Sequence, residues 1–192
     1  FDISKLNKDE DGRVVVKARL AKDKETLETL DGETRELSAH DLVIADNSEP
    51  IALAGVMGGA QSEVSEGTTH ILLEAAYFQP ASVRKTAKRH GLHTEASHRF
   101  ERGCDPEAAS WALDRAASLI LSLCPDASVA RGIVDVYPEP LPVREVSLRY
   151  QRLLEVSGLP KESVDESKVT ASLSSIGLEV SGREGEAIRF RI

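Results

Sequence analysis

Apolar positions in the first half of the chain come in short runs with polar alternation, and further on they fall three and four residues apart. Arg13-Val-Val-Val-Lys-Ala-Arg-Leu20 is rich in β-branched residues and predicts a strand. Thr26 to Leu30 and Glu33 to Leu37 alternate Leu and Thr with charge around Asp31-Gly32, which predicts a hairpin closed by a type I′ turn. Leu42-Val-Ile-Ala45 predicts a short buried strand. Ile51 to Val56 returns to the sheet and runs into glycines, and His70 to Phe78 predicts a strand with Glu74 inside it.

Helical spacing takes over at Pro80, tolerated in a first turn because its missing N–H needs no partner there. Val83, Thr86 and Ala87 mark one face, and Gly91 stops the helix. Asp105 and Pro106 start a second helix that runs to Pro125. Its stripe of Ala109, Leu113, Ala116, Ile120 and Leu123 predicts a core face, with Trp111 beside it. Ile133 to Tyr137 predicts one more strand. The expected sheet is lined by Leu42, Ile44, Leu53, Val56, Leu72 and Ile133, with the 105–124 helix packed on it. Pro138-Glu-Pro-Leu-Pro142 reads as a stiff linker. Beyond it come a strand at 144–150, a helical turn closed by Gly158, a capping-box spacing from Ser163 to Glu166, and a stripe of Val169, Leu173 and Ile176. A hairpin of 178–180 with 187–192 follows. The fold class is α+β: a mixed β-sheet domain with packed helices over 1–140, then a small, truncated helical and β-hairpin domain over 141–192.

Composition narrows the chemistry. The chain has 192 residues, 41% hydrophobic but only 4% aromatic, so aliphatic residues must do most of the packing. Its net charge of −8 argues against a generic nucleic-acid binder, though not against a fragment whose nucleic acid is held mainly by other parts of a larger protein. Cys104 and Cys124 lack metal spacing and read as buried thiols of a reducing cytosol. No signal peptide or membrane-length apolar run is visible, so a cytoplasmic location is expected. The chain opens mid-phrase and stops in a strand-like run, as if cut from a longer polypeptide.

The stretch from Gly55 to Pro106 is hard to explain by packing alone. Glycines flank Met57, Glu74 sits in an apolar run, and a dense polar run fills Gly91 to Gly103. This composition reads as the wall of a pocket for a polar ligand. Each residue also has a plainer reading. Glu74 would turn to solvent, Gly58 and Gly59 would make a tight turn, Thr94 would cap a helix, and Ala96 would pack. Arg84, Lys85, Lys88 and Arg89 form a solvated face or a phosphate contact. Phosphate loops, dinucleotide fingerprints and nucleophile elbows are absent, and the spacing of His90, His93 and His98 suits no common zinc site, so no metal is expected here.

Gly-Val-Met-Gly-Gly at 55–59, Leu-Glu-Ala-Ala-Tyr-Phe at 73–78, Arg-Lys-Thr-Ala-Lys-Arg at 84–89, Thr94 to Gly103 and Asp105-Pro106 resemble the editing module of the bacterial phenylalanine–tRNA ligase beta subunit. The resemblance runs to about Tyr137. The residues from about Val143 are similar to the start of that subunit's next module, a winged-helix-like unit. Cys104 stands where Val is more usual. The resemblance implies hydrolysis of tyrosine wrongly esterified to the phenylalanine tRNA. It implies a pocket of Gly58, Gly59, Glu74, Thr94 and Ala96, with Glu74 and Thr94 closest to the chemistry. It also implies a histidine just ahead of Phe1 and an acidic magnesium cluster beyond Ile192, both outside this sequence. The implied partners are the phenylalanine tRNA and an alpha subunit in an alpha2-beta2 assembly. ATP and magnesium belong to the full enzyme, with no cofactor in this stretch. A second function stays open: a non-catalytic tRNA-positioning or subunit-interaction module with a vestigial pocket.

Overall fold

Short apolar runs close on one another as antiparallel ladders. The computed structural model describes residues 1–192, the side chain of Ser163 excepted, and the chain divides into two compact units, Phe1–Ala130 and Arg131–Ile192. In the first unit β1 (Lys17–Leu20) is followed by β2 (Thr26–Glu28) and β3 (Thr34–Glu36), which pair with each other. Then come β4 (Leu42–Ala45), β5 (Pro50–Leu53) and β6 (Met57–Gly58). The main sheet has the order β1-β4-β5-β6, antiparallel throughout. Every residue of β5 is buried, and Val43, Ile44 and Ala45 of β4 are buried too. Two-sided burial explains why these strands read as continuous apolar runs rather than alternating ones.

The turn of the β2–β3 hairpin is not type I′. Gly32 has φ +80° but Asp31 does not share the positive φ that type I′ requires. Thr29 N–H donates to Glu33 O and Gly32 N–H donates to Thr29 O, giving a longer loop with glycine at its left-handed position. The Asp31 carboxylate, which accepts from the Thr29 hydroxyl at 2.6 Å, holds that conformation.

Three helices follow. α1 (Pro80–His90) starts on proline and ends at Gly91, whose φ of +64° only glycine adopts without strain. It buries Val83, Thr86 and Ala87. α2 (Glu95–Phe100) is short and capped by Thr94. α3 (Ala108–Leu123) departs from expectation: none of its residues is buried, Trp111 is 70% exposed and Leu123 is 80% exposed. Ala109, Leu113, Ala116 and Ile120 of the expected stripe are among its half-buried positions and Leu123 is not, and the stripe does not form the sheet's core. The core is instead closed by Ile44, Leu53, Val56, Phe78, Val83 and Leu92, with Leu42 and Leu72 packed at its edge. The expectation for the thiols also fails: Cys104 is half-buried and Cys124 is exposed.

Residues 70–78 do not form a strand. Only Ile71 bridges, to Asp2. Apolar residues favour extended backbone, but a ladder needs a neighbour, and here only the Phe1–Ile3 segment supplies one. Phe1 and Leu72 exchange N–H···O bonds at 3.0 and 2.9 Å, and Ile3 N–H donates to His70 O.

The side chain of Asp41 ties the sheet to α1. It is fully buried and accepts from Ser38 N–H at 2.9 Å, Thr86 Oγ1 at 3.0 Å, His90 Nε2 at 2.8 Å and the Arg89 guanidinium. Burial opposes its ionisation, but the hydrogen bonds from Ser38, His90 and Thr86 outweigh this and hold the carboxyl below the usual carboxylate range. Arg89 and His90 are therefore held by protein rather than belonging to a free basic face.

The second unit contains β7 (Glu145–Arg149), α4 (Tyr150–Ser157), α5 (Glu166–Ser175), β8 (Glu179–Glu184) and β9 (Ala187–Arg191). Its sheet order is β7-β9-β8, antiparallel, and it buries Ile188 and Phe190. Gly158 ends α4 in the left-handed conformation. The cap expected at Ser163 lies outside the described side chains, and Asp165 caps α5 by accepting from Lys168 N–H. Ile176 is exposed, not part of a buried stripe. Ile133 to Tyr137 forms no strand: Ile133 is 53% and Val134 93% exposed, so Ile133 is not part of the first sheet's lining. No helix among the described residues is long and apolar enough to cross a membrane.

Asp41→Asn should cost about 3 kcal/mol in chemical denaturation at neutral pH, because it leaves buried donors and Arg89 poorly matched. The folded carboxyl titrates below the unfolded one, so its stabilisation is complete above the ordinary carboxylate range and fades as pH falls through the folded pKa. The gap between wild type and variant should close on acidification. A gap that stays constant from neutral to acidic pH would contradict this role.

Candidate functional site

Gly55 is where the pieces of the candidate site meet. It has φ +69°, and a Cβ there would stand 2.9 Å from Phe78, 3.1 Å from Val83 and 3.2 Å from Phe100. One turn after β5 thus touches the end of the 70–78 segment, α1 and the end of α2. Phe78 and Phe100 stack at a tilt, with ring centroids 5.1 Å apart. Residues more than forty positions apart in sequence are held together because glycine alone leaves room for both rings.

Thr94 lies beside the same turn. Its hydroxyl donates to Val56 O at 2.7 Å and accepts from Ser97 N–H at 3.0 Å, while Ser97 Oγ accepts from Thr94 N–H. This reciprocal cap starts α2 and fastens it to the backbone before Met57. Thr94 therefore takes the capping role, and its hydroxyl hydrogen is committed to Val56. Ala96 follows in the first turn of α2 and is half-buried.

The two glycines differ. Gly58 is half-buried on β6, its carbonyl accepts from Leu30 N–H, and a Cβ there would meet only the flexible end of Leu30 at 3.1 Å. Gly59 is a packing glycine. Its N–H donates to Ile51 O at 2.8 Å, and a Cβ would stand 2.6 Å from that same oxygen. That bond takes up the Gly59 N–H within the fold.

Glu74 lies between the anchor at Leu72 and Phe78. Its carboxylate makes no hydrogen bond or ion pair among the described residues. Burial raises its pKa, opposed by the positive amino group of Phe1. By surface area the residue nonetheless counts as exposed. A side chain crowded by protein on one side and open on the other has both properties, so the carboxyl is short of solvent without being sealed off.

The structure thus joins Gly58, Thr94 and Ala96 to one turn-and-helix assembly and brings in the Glu74 segment through Phe78. No hydrogen bond or ion pair among the described residues joins the Glu74 carboxylate to the other three. Two open cavities lie elsewhere. One, of about 380 Å³, is lined by Glu25, Leu27, Glu28, Glu49 and Gln61 among others, and one of about 420 Å³ lies in the second unit between β7, α4 and α5. Sequence reasoning missed Asp41 and the Val56 carbonyl. Asp41 carried one faint signal, an acid directly ahead of the apolar run Leu42 to Ala45.

The profile of the B3/4 domain family matches residues 1–125. The chain is 51% identical over 150 residues to a phenylalanine–tRNA ligase beta subunit of Geobacter sulfurreducens, covering 78% of this chain and 18% of that protein. It is 48% identical over 180 residues to that of Syntrophotalea carbinolica (94% and 21%), and 45% identical over 174 residues to that of Anaeromyxobacter dehalogenans (91% and 21%). The chain spans about a fifth of the length of these curated relatives.

Two outcomes test this geometry. Thr94→Val should lower stability by about 1–2 kcal/mol through loss of the cap, whereas Thr94→Ser, which keeps both hydrogen bonds, should stay near wild type in denaturant titrations. Glu74→Gln should raise the Tm near neutral pH. A folded pKa above the unfolded one means that the charged form costs stability, and the cost vanishes once both states are protonated. The gain should therefore disappear on acidification, and a lower Tm for the variant at neutral pH would show that the carboxylate has a stabilising partner.

Proposed function

The chain belongs to the B3/4 domain family of phenylalanine–tRNA ligase beta subunits, and from that premise we propose that it hydrolyses tyrosine mischarged onto the phenylalanine tRNA. The observation that supports this reading is Glu74, a half-shielded carboxyl with no protein partner among the described residues, on the segment whose end, Phe78, packs at the Gly55 turn. Such a group gains most from a ligand hydroxyl. A phenol O–H donated to it makes a charge-assisted hydrogen bond, while phenylalanine leaves it unpaired. The discrimination runs opposite to that of an apolar synthetic pocket, which rejects an added hydroxyl by only ~10²-fold.

The hydrolysis needs little more than placement. Water attacks the ester carbonyl, the bond to the ribose oxygen breaks, and tyrosine and free tRNA leave. An aminoacyl ester is labile, so holding it against water and offering dipoles to the developing oxyanion suffices. In this reading Gly58 lets the substrate approach the backbone and Ala96 leaves space for the ring. Thr94 positions both by fastening α2 to Val56. Aminoacylation, with its ATP and magnesium, falls to the rest of the enzyme and its alpha subunit. The rival reading, a non-catalytic positioning module, predicts no deacylation at all.

Glu74→Ala in the complete beta subunit should cost tyrosine about 1.5–3 kcal/mol in binding or in ester hydrolysis and change phenylalanine far less. Tyrosine affinity should also weaken as pH falls through the raised Glu74 pKa, since the ionised form is the one that accepts the phenol. Equal losses for the two amino acids, measured by deacylation of both esters, would remove Glu74 from the discriminating role.

A further inference from the structure

Charge is unevenly spread in this acidic chain. It carries 32 acidic and 24 basic residues, yet residues 75–94 contain no Asp or Glu. Within that interval α1 holds Arg84, Lys85, Lys88 and Arg89, and it buries its Val83, Thr86 and Ala87 face. Arg89 is held by Asp41. The side chains of Arg84, Lys85 and Lys88 are exposed and make no hydrogen bond or ion pair among the described residues. Cations in a last turn favour the helix dipole, which accounts for Lys88 and Arg89 but not for Arg84 and Lys85 nearer the start. Arg84 and Lys88 stand one turn apart, a spacing at which like charges repel, and no acid on the helix relieves them.

A mutually repelling set of free cations on a rigid helix suits a polyanion. We propose that Arg84, Lys85 and Lys88 form a phosphate-contact surface that holds the body of the tRNA while its esterified end reaches the Gly55 turn. This rests on the editing reading above. A membrane surface is the poorer fit, because the outer face of α1 carries only small residues such as Ala81 and Ser82 beside its cations and nothing large to insert. Each phosphate contact releases counterions, so the surface should be read in the salt dependence of binding.

The test titrates the chain with uncharged phenylalanine-tRNA transcript across about 50–200 mM salt. The triple variant Arg84→Gln, Lys85→Gln, Lys88→Gln should bind at least tenfold more weakly, with a log–log salt slope shallower by about 2–3. Lys17→Gln, Lys22→Gln, Lys24→Gln makes the same change in net charge elsewhere on the first unit and should leave the slope unchanged. If the triple variant melts early, Arg84→Gln and Lys88→Gln alone should each flatten the slope by about 1. Equal losses from the two triple variants, an unchanged slope, or α1-dependent binding to phosphatidylserine vesicles in place of tRNA would overturn the proposal. Deacylation of tyrosine from the phenylalanine tRNA is followed in parallel on wild type and the α1 variants. Loss of hydrolysis with α1-dependent binding intact therefore sinks the editing reading alone, and hydrolysis with no α1 dependence sinks only this one.

Discussion

The buried carboxylate of Asp41 holds the first unit to one arrangement. Taking a carboxylate fully out of water is expensive, and only a complete set of donors makes it tolerable. Those donors come from the 38–41 turn and from one face of α1, through Thr86, Arg89 and His90. The helix can sit on the sheet in one rotation and one register without stranding that charge. Val83 and Ala87 then enter the core on the same face, so the apolar and polar demands agree.

Once α1 is placed, the Gly55 turn has little freedom. It must pass between Val83, Phe78 and Phe100, and the missing side chain is what lets it through. Phe78 fixes the end of the segment bearing Glu74, and Phe100 fixes the end of α2. Thr94 closes the assembly by bonding Val56 O. A scaffold of this kind suits a binding wall, because its rigid parts are satisfied internally while Glu74 has no partner among the described residues.

The same division explains the charge pattern of α1. Arg89 is matched by Asp41, whereas Arg84, Lys85 and Lys88 have no partner among the described residues. One helix thus carries a structural cation and three free ones. Read as linear sequence, the four look alike.

Much of the local architecture was legible in advance. The strand at 42–45, the strand entered at Ile51 (expected to Val56, ending at Leu53), the proline start and glycine stop of α1, the Gly158 stop of α4 and the α+β class follow from near-neighbour rules of propensity, capping and periodicity. Glu74 stood out as a candidate because it sits in an apolar run, and Gly58, Thr94 and Ala96 because their motifs resembled a known family. What failed depended on partners far away in the chain. Residues 70–78 and 133–137 have strand-like composition, but a strand exists only where another edge is free to pair with it. The α3 stripe is half-buried at all its positions but Leu123, and depth of burial depends on what lies opposite. Asp31 adopted a turn set by the Thr29 hydroxyl, not the type I′ turn. The sequence by itself determined which segments are extended or helical and which residues stand out. The tertiary structure alone decided which of those residues are satisfied and which stay available, because hydrogen-bond satisfaction belongs to the three-dimensional neighbourhood and not to the residue.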